Sequence, residues 1–356
     1  MVRKLLVLVF LLALAAAVSP AQSGRVKKKK RTDKDSAKKE AVYLPTQKIK
    51  GKPKAKATPV PTPPPIRKDD VISVESALVP IPVSVIDNAT GRALTTLKLS
   101  DFELMIDKKP APIGEFFRSE SPVRLSLLFD NSSSVAVARE FEQEAAIRFF
   151  RRVIRPSKDL ASLFSVAGTS QLEQPMTKNV SQLVRAIKSL LPPKGATALN
   201  DGIIKAANYL QDYAGRRVIV IVSDGHDTLS DTTFDEMVKI VQENNCQVYI
   251  VHTNEFENFV RTGDRGGSAN IRALAAERRM KTLANETGGA VYSPIDKREL
   301  DQAFREISAE LSQQYILGYY PENEIKDGRF REIELKIRSE KKITVRSRKG
   351  YYVKRR

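Results

Sequence analysis

In Val123-Arg-Leu-Ser-Leu-Leu-Phe-Asp-Asn-Ser-Ser-Ser134, a nearly continuous apolar run breaks off into an aspartate, an asparagine and three serines. A short apolar run of that kind fits a strand covered on both faces. Beyond Ser134 the hydrophobic period alternates between helix and strand. Residues 139–154 carry Phe141, Ala145, Phe149 and Val153 on one helical face, and 160–166 read as a strand. Residues 180–191 and 199–213 read as helices parted by Pro192-Pro193. A second buried strand spans 217–222, and Asp231 is a suitable N-cap for a helix reaching 244. Residues 246–251 (strand), 271–287 (helix), 290–292 (strand) and 298–311 (helix) complete the alternation. Over 121–314 this predicts an α/β fold, a doubly wound and mostly parallel sheet.

Outward from that core the texture changes. Residues 71–85 are rich in β-branched side chains, 87–91 form a turn signal, 101–107 alternate, and 113–117 suit another strand. A small β-rich module is therefore expected over 70–120. Strand patterns recur at 315–320, 330–337 and 343–345. These C-terminal strands, within 315–356, are expected to pack with 70–120, because the ends of an α/β domain often lie close together.

The remainder addresses the chain. Arg3 and Lys4 precede an apolar run from Leu5 to Val18 and then Ser19-Pro-Ala21, the pattern of a signal peptide over 1–21. The run is shorter than the roughly 20 residues that span a bilayer. Lys27 to Arg31 follow closely, which keeps an uncleaved membrane anchor as the lesser alternative. Residues 22–69 are rich in Lys, Pro and Ala and form an extended linker with too little apolar surface to fold. An exported protein is expected, whether periplasmic, secreted or at the cell surface.

The net charge of +18 suggests nucleic acid until it is mapped. Between Arg25 and Lys68 there are 16 basic residues against three acids, and the leader adds two more bases, so only +3 remains from Asp69 onward. The basic tail suits an anionic envelope surface, and no nucleic-acid partner is expected. The single cysteine, Cys246, excludes an intrachain disulfide and sits in an apolar run.

In open parallel sheets ligands bind beyond the carboxyl ends of the strands. Three loops stand there: Asp130-Asn-Ser132-Ser-Ser134, Gly195-Ala-Thr197, and Ser223-Asp224-Gly-His-Asp227. Asp130, Ser132 and Ser134 at i, i+2 and i+4 share one side of an extended loop. Thr197 and Asp224 complete an all-oxygen set suited to a hard cation, Mg2+ or Mn2+ before Ca2+. So few strong ligands leave an open position for a partner's carboxylate. His226 and His252 lack zinc-site spacing, and neither a nucleophile elbow nor a nucleotide-binding glycine loop is present.

These motifs resemble the metal-ion-dependent adhesion site of von Willebrand factor A domains. Val83-Ser-Val-Ile-Asp87, Leu99-Ser-Asp-Phe-Glu-Leu104, Gln314-Tyr-Ile-Leu-Gly-Tyr-Tyr-Pro321 and Gly350-Tyr-Tyr352 extend the likeness to exported VWFA-related proteins of the acidobacterial type, over residues 72–353. The resemblance implies that Ser132, Ser134 and Thr197 ligate the ion directly and that Asp130 and Asp224 act through water. It also implies a non-enzymatic adhesion role toward an acidic group on an unidentified protein partner. A metal-dependent phosphohydrolase on a similar sheet and a scaffold with a vestigial site are the alternatives.

Overall fold

A computed structural model describes residues 78–118, 121–265, 271–321 and 326–353. The signal peptide at 1–21, the linker at 22–69 and the head of the β-rich module at 70–77 lie outside the described residues.

The described chain opens with β1 (Val79–Asp87), β2 (Arg92–Ala93), β3 (Phe102–Ile106), β4 (Lys109–Ala111) and β5 (Glu115–Arg118). The central part runs β6 (Val123–Asp130), α1 (Arg139–Val153), β7 (Leu160–Val166), β8 (Ser170–Thr177), α2 (Val180–Ser189) and α3 (Leu199–Leu210). It continues through β9 (Arg216–Ser223), α4 (Phe234–Glu243), β10 (Cys246–His252), α5 (Asn254–Thr262), α6 (Ile271–Thr287), β11 (Val291–Tyr292) and α7 (Lys297–Ser312). Four strands close it: β12 (Tyr315–Tyr319), β13 (Phe330–Ile337), β14 (Ile343–Ser347) and β15 (Gly350–Tyr352).

Six strands form the central sheet in the order β11-β10-β9-β6-β7-β8. All its pairings are parallel except that of the edge strand β8. In β6 every residue but Arg124 is buried, which is why its sequence is apolar without alternation. Leu125, Leu127 and Phe129 face the core under α1, α2 and α7, whereas Leu128 faces the one under α3, α4 and α6. Helices thus cover both faces, and the fold is a doubly wound α/β domain. Ser126, a polar residue buried in the middle of β6, is satisfied by the Ser162 hydroxyl of β7 at 2.8 Å.

Packing follows from the same patterns. Helix α1 buries Phe141, Ala145, Phe149 and Val153 along one stripe. Glu140 lies in its first turn and Arg151 and Arg152 in its last, complementing the helix dipole. Phe149 packs against Phe150 and Phe304 with ring centres 6.0 and 5.1 Å away. Truncating it to alanine would cost about 3–5 kcal/mol.

Three local expectations need correction. Strand β8 lies where no strand is expected: Ser-Gln-Leu-Glu-Gln-Pro-Met-Thr is polar, and Pro175 is tolerated only because the strand is an edge with a register shift. Helix α5 lies where no helix is expected: its Phe256, Phe259 and Val260 stand at i, i+3 and i+4, and Phe256 stacks on Phe141 with ring centres 3.9 Å apart. Helix α4 is capped by Thr233 rather than Asp231. The Thr233 hydroxyl accepts from the Glu236 N–H while the Glu236 carboxylate takes the Thr233 N–H, a capping box.

The flanking strands form two further sheets, β14-β1-β12-β5 with β2 on β1, and β15-β13-β3-β4. Strands from both ends of the chain interleave, so Val79 pairs with Tyr319 and Phe102 with Ile337. Ile81, Val83, Phe102, Leu104, Leu317 and Ile333 share one core. At its centre Phe102, Phe116 and Tyr315 hold mutual ring distances of 5.3 to 5.4 Å. A buried polar seam joins this β-rich part to the α/β domain. Arg346 of β14 pairs with Glu310 of α7, which also accepts from the Tyr249 and Tyr292 hydroxyls.

Candidate metal centre

The carboxyl ends of β6 and β9 deliver Asp130 and Asp224, each at most 2% exposed. Asp130 is the last residue of β6. Its Oδ1 accepts from the Ser132 N–H at 3.0 Å and its Oδ2 from the Ser223 hydroxyl at 2.6 Å. The Ser132 and Ser134 hydroxyls lie 2.9 Å apart, and Ser134 also hydrogen-bonds Asp224. Four of the five sequence-predicted residues therefore form one connected cluster.

Thr197 enters through its main chain. The Ser133 N–H donates to Gly195 O and the Lys194 N–H to Asn131 O, both at 3.1 Å, tying its loop to the serine loop. On the other side Thr197 N donates to the Thr228 hydroxyl at 3.0 Å, and Thr197 O accepts from the Thr228 and Leu229 amides. Asp227 clamps the start of α3 through Leu199 N and the Asn200 side chain. The Asp224 loop turns at Gly225 with φ 77°, a left-handed conformation where a side chain would also crowd Met280 and His252.

The electrostatics is that of crowded acid. Burial, and then the charge of Asp224, raise Asp130 to about 6. Asp224, though buried, is held below the usual carboxylate range by hydrogen bonds from His226, whose Nδ1 lies 3.3 Å from Oδ2. Below Asp224 the His252 Nε2–H donates to its carbonyl at 2.8 Å, which fixes the tautomer and leaves buried Nδ1 without a partner.

Two acids escaped sequence reasoning. Glu142 of α1 is fully buried; its Oε1 accepts from the Thr253 hydroxyl at 2.8 Å, while Oε2 has no partner. Burial, reinforced by Asp130, raises it well above the ordinary glutamate value. Glu257 of α5 has a buried, unpartnered Oε1 and is raised to about 7 by burial and by Asp224 and Asp130. Nothing local distinguishes Glu142 from Glu140 and Glu144, and Glu257 rides on α5, where the signal was the helical spacing of Phe256, Phe259 and Val260.

Buried carboxylates short of donors are costly unless a cation joins them. Among the described residues no three His, Cys, Asp or Glu side chains converge to hold an ion by themselves. Hydroxyls must therefore complete any shell, and Ser132 and Ser134 are in place to do so. The donor set, oxygen only, fits a hard divalent cation.

Residues 125–226 match the family model of the von Willebrand factor type A domain. That span begins inside β6 and closes just past Asp224, so the α/β unit of this chain is a von Willebrand factor A domain. Among solved structures the chain is similar to the conserved hypothetical protein BatB from Bacteroides thetaiotaomicron. There the identity is 17%, the match covers 53% of this chain and 98% of that one, and the TM-score is 0.43. It is similar to the PilB minor pilin from Streptococcus sanguinis (13%, 57% and 63%, TM-score 0.41). It is also similar to the vWF domain of the type V pili tip protein Mfa5 from Porphyromonas gingivalis (14%, 54% and 96%, TM-score 0.42). A comparison with curated proteins finds no match.

Proposed function

We propose that this is an exported, non-enzymatic binding protein that engages an acidic group on a protein partner through a divalent cation, Mg2+ or Mn2+. Asp130, Ser132, Ser134, Thr197 and Asp224 would hold the ion. The observation that carries this reading is the cluster of buried acids at one sheet end, with orphaned oxygens on Glu142 and Glu257. A bound cation supplies the missing positive charge and an open position for a carboxylate from outside.

The surroundings suit a docking face. Val137, Leu191 and Leu229 are 66, 69 and 54% exposed, and they stand on the three loops that build the site. An acidic side chain set among apolar neighbours would meet both the charge and the rim. Export rests on the leader at 1–21, and the basic linker would hold the protein near an anionic envelope surface. Among the described residues no helix is long and apolar enough to cross a membrane. The phosphohydrolase alternative is less favoured, because both carboxylate oxygens of Asp130 are already engaged and neither is free to attack.

The test is thermal unfolding of the full chain in EDTA and with Mg2+, Mn2+ or Ca2+, beside the Asp130→Ala, Asp224→Ala double variant. A metal-dependent rise confined to the wild type supports the site. Absence of any rise in the wild type sinks the metal mechanism.

A further inference from the structure

The amino-terminal edge of the same sheet holds a feature of opposite charge. A cavity of about 350 Å3 opens where the starts of β9 and β10 meet β1 and β12. Arg216, Arg217 and Arg348 line it, and no Asp or Glu does. Across from them Pro80, Pro82, Phe117 and Ile316 make an apolar wall.

Two of the guanidinium groups are incompletely satisfied. Arg216 Nη1 donates to Leu311 O at 2.5 Å, but Nε and Nη2 are buried without any partner. Those two nitrogens form one edge of the guanidinium, the edge that grips a carboxylate through parallel hydrogen bonds. Arg348, only 8% exposed, donates to Asn245 Oδ1 and to Pro80 O, leaving its buried Nε unpaired. Arg217 differs: it donates to the carbonyls of Tyr213, Asn244 and Gln211, and contributes charge but no free edge. The acid whose charge reaches Arg216 is Asp159, already clamped by Arg155 at 2.7 and 2.9 Å and by Val123 N. Burial lowers Arg216 and Arg348 to about 10, so both remain cations at neutral pH.

We propose that this cavity binds a small organic carboxylate with an apolar body, its head held by Arg216 and Arg348 and its body against Pro82, Phe117 and Ile316. One free guanidinium edge plus a single further N–H matches the two oxygens of a carboxylate better than the three of a phosphate. The volume sits at the lower end of the ~300–1,000 Å3 typical of ligand pockets, which suits a medium-chain or aromatic acid. The site is separate from the metal centre and does not depend on it.

The chain contains no tryptophan, so Phe117→Trp places a sole reporter at the cavity wall. The full-length variant is titrated with octanoate, octanol, acetate and inorganic phosphate while its fluorescence is followed. Octanoate should give a saturable change independent of Mg2+, with octanol and acetate about tenfold weaker or worse. Calorimetry on the wild-type chain repeats the series without the reporter. Arg216→Lys, which keeps the charge but lacks the forked edge, should weaken octanoate about tenfold with an unchanged unfolding temperature. No saturable octanoate signal, octanol binding as well as octanoate, phosphate displacing octanoate at equal concentration, or wild-type affinity in Arg216→Lys would each overturn the proposal.

Discussion

The two ends of the central sheet carry opposite charge, and strand β9 reaches both, with Arg216 and Arg217 at its start and Asp224 just past its finish. At the carboxyl end Asp130, Asp224, Glu142 and Glu257 crowd together, and at the amino end three arginines face a cavity without an acid. Matched pairs stand apart from both: Arg346 with Glu310 on the seam and, beside the amino end, Arg155 with Asp159, which also takes the Val123 N–H. The contrast separates structural charge from charge left in need of a partner. The matched pairs have their hydrogen bonds complete, whereas both sheet ends keep buried polar atoms unpaired.

The largest effect should come from breaking a matched pair. Glu310→Ala leaves Arg346 and two tyrosine hydroxyls without their acceptor and should cost about 3–5 kcal/mol in urea unfolding. A loss under about 1 kcal/mol would remove the distinction between the seam and the sheet ends. Next in size, the wild type should gain about 2.7 kcal/mol when Mg2+ stands at a hundredfold excess over its dissociation constant. The Asp130→Ala, Asp224→Ala variant should gain nothing in the same titration.

A smaller effect separates the acidic end by pH. Asp130 is raised to about 6, so the fold disfavours its ionised form. Its contribution is full below the unfolded carboxylate value near 4 and is lost as pH rises through about 6. In EDTA, Asp130→Asn should therefore gain stability relative to the wild type between pH 4 and 7, as read by unfolding temperature. A constant difference across that range would mean that Asp130 is not the strained group. The smallest effect is expected at the amino end. Arg216→Met removes an under-satisfied buried cation and should be neutral or stabilising by up to about 1 kcal/mol. A loss of several kcal/mol would place Arg216 with the matched pairs.

Much of this is legible in one dimension. Strands β7 and β13 and helix α6 lie at the limits their patterns predict, because a buried strand or an amphipathic helix writes its environment into consecutive residues. Strand β8 is not, since an edge strand half-exposed along its length needs no apolar pattern. The capping box of α4 is present in Thr233-Phe-Asp-Glu236, two residues beyond the Asp231 that the sequence favours as a lone cap. At the candidate site, Asp130, Ser132, Ser134 and Asp224 stand out in the sequence by position after buried strands, and Thr197 by its place just before a helix.

The chain's own order thus determined the alternation of strand and helix, the placing of oxygen-bearing loops at strand ends, and the segregation of basic charge into residues 25–68. Tertiary structure alone decided which of three neighbouring glutamates on α1 is buried, and that Glu257 faces the same acids. It alone set Arg348 beside Arg216 across 132 positions of chain. The physical reason is range: periodicity and capping act within a few residues, whereas desolvation and pairing of charge depend on which distant segments pack against them.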